Sequence, residues 1–136
     1  MNTKELTFLH LVLGAAQTYD IESIEFADGI VLQCGKTDPQ IYINLPCQLE
    51  KPRGDAVCEI TYTSTVAGII QVFWDYGEGL SEENSTKEVC FSISKTKSMF
   101  LPIVNWKNDK KLLALRVDPP DGAGFVLKSV RILEEE

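Results

Sequence analysis

The stretch 69-IIQVFWDY-76 decides the fold. Side chains of an extended strand point alternately to opposite faces, so Ile70, Val72, Trp74 and Tyr76 share one apolar face. Gln71 and Asp75 flank Phe73 on the reverse. The same two-residue period runs through 56-AVCEITYTS-64, where Cys58, Ile60 and Tyr62 oppose Glu59, Thr61 and Thr63. A bend at Ala67-Gly68 joins the two strands, and the loop 50-EKPRGD-55 leads into the first of them. Upstream, 21-IESIEF-26 alternates, 27-ADG-29 turns, and 30-IVLQC-34 is closed by 35-GKTDP-39 before 40-QIYINL-45 and Pro46. Downstream come 86-TKEVCFSI-93, 98-SMFLPIV-104, the loop 105-NWKNDKK-111, then 112-LLALRVD-118. The turn 119-PPDGAG-124 and the strand 125-FVLKSVRIL-133 close the pattern, leaving 134-EEE-136 as a solvated or frayed tail.

After residue 17 no helical period lasts ten residues. Half-polar alternation bounded by Gly, Pro, Asn and Asp predicts antiparallel strands with one wet face. About eight such strands imply an all-β, antiparallel two-sheet β-sandwich or jelly roll. At 136 residues the chain fits one domain. The expected division is a sandwich over residues 18–136 preceded by an apolar segment over 1–17.

Charge narrows the partners. Thirteen Lys and Arg against 20 Asp and Glu give a formal charge of −7. Nucleic acid or an anionic membrane would need a basic patch against that field, and the one dense basic run, 107-KNDKK-111, is broken by Asp109. The run 6-LTFLHLVLGAA-16 is too short to span a bilayer. It reads as a strand or short helix docked on the domain or on a second copy, hence a route to a homo-oligomer. A secretory signal peptide is the other reading: Gly14 and Ala16 have suitable spacing, but Glu5 and His10 argue against it. The docked reading favours the cytoplasm and the signal reading secretion.

Cys34, Cys47, Cys58 and Cys90 are spaced by 13, 11 and 32 residues, which matches no zinc pattern. They read as small apolar residues, with a disulfide framework as the alternative. No catalytic set is predicted. His10, the one histidine, lies in the apolar run, and nucleophilic catalysis needs a base beside the nucleophile. Asp75, Glu78, Glu82, Glu83, Asp118 and Asp121 could supply a glycosidase pair, but the loop acids read first as solvated charge. Gly77 and Gly79 precede acids rather than a helix with Lys, so they make no phosphate cradle. They supply turn angles, while Ser81, Asn84 and Ser85 satisfy loop backbone groups.

The segments 35-GKTDPQI-41, 70-IQVFWDYGEGLSEENS-85, 115-LRVDPPDGAG-124 and 127-LKSVRI-132 resemble the galactose-binding-like β-sandwich domain found beside glycosyltransferases of bacterial surface-polysaccharide synthesis. The resemblance covers roughly residues 20–133, and no glycosyltransferase domain accompanies it in this chain. It implies a noncatalytic module, related in fold to carbohydrate-binding modules, with a glycan or a glycosyltransferase as partner. It also implies one structural calcium, for which Asp28, Asp38, Asp118 and Asp121 are turn-borne candidates that turn chemistry explains as well. No other cofactor is expected. Sugar sites combine an aromatic platform with planar polar groups. The candidates are Trp106 in its polar loop, which reads first as the anchor of that loop, Tyr76 at a strand end, which reads either way, and Gln71, Asp75 and Arg116, which share an outer face if their strands are neighbours. Trp74 shares a face with Ile70 and Val72 and reads as core. The rival to a glycan module is a protein-interaction or assembly domain docking through residues 6–16.

Overall fold

The computed structural model describes residues 2–9, 11 and 16–136. His10 and positions 12–15 of the apolar run, including Gly14, lie outside the described residues. In chain order the strands are β1 (Thr3–Phe8), β2 (Ala16–Tyr19), β3 (Ile21–Ala27), β4 (Gly29–Cys34), β5 (Gln40–Glu50) and β6 (Ala56–Ser64). There follow β7 (Gly68–Asp75), β8 (Ser85–Cys90), β9 (Ile93–Pro102), β10 (Lys111–Asp118) and β11 (Gly124–Glu135). One sheet has the order β3-β4-β11-β6-β9, the other β2-β5-β10-β7-β8, and all pairings are antiparallel. The predicted two-sheet all-β sandwich is what the chain forms.

The alternating apolar residues meet between the sheets. Ile70, Val72 and Trp74 of β7, Leu115 and Val117 of β10, and Ile41 and Ile43 of β5 are fully buried. They face Cys58 and Ile60 of β6 and Phe125, Leu127, Val130 and Ile132 of β11, which are equally dry. Tyr62 stacks on Phe125 with ring centroids 5.6 Å apart. Among the described residues no buried side-chain polar atom lacks a partner. None of the described buried side chains therefore needs a ligand to satisfy it.

The N-terminal run enters the same structure. β1 pairs with residues 131–135 of β11, while β4 pairs with residues 124–127 of that strand, so the two share one edge of β11. Leu9 is fully buried, and Leu6, Leu11 and Ala16 pack against the core. Among the described residues no helix is long and apolar enough to cross a membrane.

Three local expectations change. β5 does not stop before Pro46 but continues to Glu50. Between the pairs Asn44↔Ala114 and Leu49↔Leu112 it carries extra residues, and Pro46 sits in that irregularity, where a missing ladder N–H is tolerated. The acidic tail is not frayed: Glu134 and Glu135 belong to β11, and Glu135 N–H donates to the Asp55 carbonyl at 2.9 Å. The strand expected over 98–104 begins at Ile93, and the one before it ends at Cys90. All four cysteines are free thiols; Cys34, Cys58 and Cys90 are buried and Cys47 is exposed.

Candidate functional site on the outer face of the five-stranded sheet

β7 and β10 are neighbours, with Arg116 opposite Phe73 and Asp118 opposite Gln71. Side chains directly opposite on antiparallel strands share a face, so Gln71, Asp75 and Arg116 come together on the outside of the five-stranded sheet. The register extends this into a line that crosses every strand: Gln17 of β2, Tyr42 of β5, Arg116 of β10, Phe73 of β7 and Ser85 of β8. At the ordinary strand spacing that line is about 19 Å long.

Three polar groups on the line, Tyr42, Arg116 and Ser85, are held. Arg116 donates from Nε and Nη2 to the two carboxylate oxygens of Asp118, at 2.8 and 2.9 Å. Its guanidinium lies 4.2 Å from the centroid of the Phe73 ring, a cation–π stack that leaves Phe73 6% exposed. Tyr42 donates its hydroxyl to Asp75 at 2.6 Å, and Gly77 N–H donates to the other Asp75 oxygen at 2.8 Å. Gln71 donates to Glu82 at 2.8 Å and to the Ser85 hydroxyl at 2.9 Å. A shallow cleft of about 280 Å³ opens between Tyr19, Gln40, Tyr42, Leu80 and Arg116.

Ionisation follows from these contacts. Burial, together with the Asp75 carboxylate, pushes the Tyr42 phenol up to about 12. Burial raises the Asp118 carboxyl above the usual range; Asp38 and Glu82 push the same way, and Arg116 opposes them. Asp75 and Asp118 are each engaged by a neighbour, Tyr42 and Arg116 respectively.

Trp106 and Tyr76 take the anchoring role rather than that of exposed platforms. Each is only 7% exposed, and their rings contact one another in a tilted pair with centroids 6.0 Å apart. The Trp106 indole N–H donates to the Lys110 carbonyl at 2.9 Å, and the Tyr76 hydroxyl donates to the Val104 carbonyl. Both rings thus pin the 105–110 loop to the sandwich. Gly77 and Gly79 adopt φ of 93° and 85°, angles that favour glycine, and turn the chain out of β7. Ser85 then closes a short 3₁₀ turn by donating to the Glu82 carbonyl at 2.6 Å. The 74–85 stretch is structural, apart from the side chains Asp75, Glu82 and Ser85 that it lends to the outer face.

The four aspartates do not fit a calcium ion. Asp118 is clamped by Arg116, Asp38 accepts from the Gln40 amide at 2.6 Å, Asp28 lies in the β3–β4 turn and Asp121 in the β10–β11 turn. Among the described residues no three His, Cys, Asp or Glu are grouped to hold a metal.

Sequence reasoning missed Tyr42, Gln40 and Tyr19. The alternation of 40-QIYINL-45 does set Tyr42 apart from Ile41 and Ile43, so its outward direction was available. That β5 lies beside β10 was not, because strand order is a long-range property.

Solved structures share this architecture. Over 96% of this chain and 90% of the other, a family 29 carbohydrate binding module complexed with cellulohexaose superposes with a TM-score of 0.65 at 5% identity. A second form, complexed with mannohexaose, gives 0.65 at 7% identity over 97% of this chain and 93% of the other. CBM29_1, the family 29 module from Piromyces equi, gives 0.59 at 11% identity over 96% and 89%. The likeness is one of fold. The chain matches no protein-family model and no curated protein sequence.

Proposed function

We propose that the outer face of the five-stranded sheet binds a glycan without altering it. The observation that carries this reading is the line Gln17–Tyr42–Arg116–Phe73–Ser85, on which Tyr42, Arg116 and Ser85 are fixed before any ligand arrives. Pre-set hydrogen-bonding groups lose little freedom on binding, which leaves more of the contact energy as affinity. Arg116 stacked on Phe73 presents a planar, partly apolar surface edged with N–H donors, suited to a sugar ring that is itself apolar on its faces and polar at its rim. The family 29 likeness supports the reading, since mutant forms of one such module are described in complex with cellulohexaose and with mannohexaose.

The finer assignment is that the ligand is a chain of bacterial surface polysaccharide and that the module works beside a glycosyltransferase. Its support is the sequence likeness at residues 35–41, 70–85, 115–124 and 127–132. Assembly through residues 6–16 has weaker support, because the described part of that run is already packed on the chain's own core.

Titration calorimetry with mannohexaose, cellulohexaose and rhamnose- or galactose-containing oligosaccharides tests the proposal. Binding of at least one of them is expected, weakened about tenfold or more in Arg116→Ala, which corresponds to ~1.4 kcal/mol. Flat isotherms at millimolar sugar would overturn it. So would tighter binding by Arg116→Ala, which would mean that the guanidinium blocks the Phe73 ring rather than forming the platform.

A further inference from the structure

A groove of about 590 Å³ lies on the opposite side of the sandwich, across the outer face of the six-stranded sheet. Its floor is a row of directly opposed residues, Val31 of β4, Val126 of β11 and Thr63 of β6. The next row, Ser23, Gln33 and Gly124, lies alongside it. Irregular pairing builds one wall. Tyr62 and Ser64 are two positions apart on β6, whereas their partners Lys97 and Ile93 are four apart on β9, so the extra residues around Ser94 bulge from the ladder.

That wall is tied down. The Ser92 hydroxyl donates to the Thr65 carbonyl at 3.0 Å, and the Thr65 hydroxyl accepts the Gly124 N–H at 2.7 Å. Gly124 contributes no side chain to the floor, and a Cβ there would meet the Thr65 methyl at 3.0 Å. None of the residues lining the groove is charged, in a chain that is 24% charged. What it offers instead is hydroxyls and one side-chain amide around a floor of two valines.

We propose that this groove is a second binding site, for a short neutral oligosaccharide. With no charge on its walls, the groove has nothing to offset the desolvation of a charged ligand. Hydroxyl and amide groups can both donate and accept, which matches sugar hydroxyls, and the valines accept the apolar C–H surface of a ring. A peptide adding as a strand would need an open sheet edge. β4, β11 and β6 each have neighbours on both sides here, so their backbone groups are occupied. The proposal does not depend on sugar binding by the five-stranded sheet.

Residue-resolved NMR titration with mannohexaose and with cellulohexaose separates the two faces. The expected result is saturable shifts at the Val31, Thr63 and Val126 amides. These persist in Tyr42→Ala and disappear in Val126→Arg, which places a long cation across the floor. Thr63→Lys, at a half-buried position on the neighbouring strand, keeps the test available if Val126→Arg does not fold; it should weaken the groove shifts at least tenfold while leaving the spectrum dispersed. Shifts confined to the five-stranded sheet would overturn the proposal, as would no groove shifts at millimolar sugar. A sedimentation result showing the groove covered by a second copy would do the same.

Discussion

On the outside of the five-stranded sheet, charged side chains lock one another in place: Arg116 with Asp118 over Phe73, and Asp75 with Tyr42. On the outside of the six-stranded sheet, the groove between β3 and β9 carries no charge, and its hydroxyls bond mainly to backbone. The same two-residue alternation produces both faces, and the same core supports them. The difference lies in which residues the strand order places opposite one another. A preset array of charges favours a ligand whose hydroxyls match fixed donors and acceptors; an uncharged trough favours one that asks for no charge at all.

The largest expected effect removes what the faces share. Trp74 is fully buried and reaches Thr86 with its indole N–H at 3.2 Å, so Trp74→Ala should cost about 3–5 kcal/mol in denaturant unfolding and weaken both faces together. If one face kept its ligand shifts at full strength in a destabilised variant, the common-core account would be broken. Next comes Tyr42→Phe, which deletes a hydrogen bond to a carboxylate. A loss of about 1.5 kcal/mol is expected, with sugar shifts on the five-stranded sheet reduced and those in the groove unchanged.

Alkali sharpens the contrast through the phenols. Tyr42 and Tyr62 are raised from 10.0 to about 12 in the folded protein, and Tyr76 is raised as well, in each case chiefly by burial. A folded value above the unfolded one means that their contribution is intact below pH 10 and is lost as pH rises toward 12. An ultraviolet titration should therefore show these three tyrosines ionising late, as unfolding sets in. Reversible ionisation of any of these three near 10 in a folded protein would contradict their burial. The smallest effect belongs to the six-stranded sheet away from its groove: Arg131 bridges Glu59 at 2.5 Å and Glu5 at 3.2 Å in a half-exposed setting. Arg131→Ala should cost only about 0–1 kcal/mol by thermal melting, with sugar shifts unaltered on both faces.

Much of this fold was legible in the sequence because burial follows alternation: Ile70, Val72 and Trp74 are as dry as their spacing predicts. The site was legible in part. Gln71, Asp75 and Arg116 could be assigned to outward positions, but their meeting depended on β7 pairing with β10, and Tyr42 joined them only because β5 lies on the other side of β10. Trp106 was open between a ligand platform and an anchor for its own loop, because a tryptophan in a polar loop can serve either way; its indole N–H donates to a carbonyl four residues on, as an anchor does. The groove escaped notice because serines and threonines on separate strands have no local signature.

The most direct test of glycan binding by the five-stranded sheet is a crystal structure of the protein grown with an oligosaccharide that binds it in calorimetry. The account predicts an intact sugar chain lying along Tyr42, Arg116 and Ser85, with the Arg116–Asp118 pair still in place. An empty outer face, a sugar bound only at the 105–110 loop, or a cleaved chain beside Asp75 would contradict it.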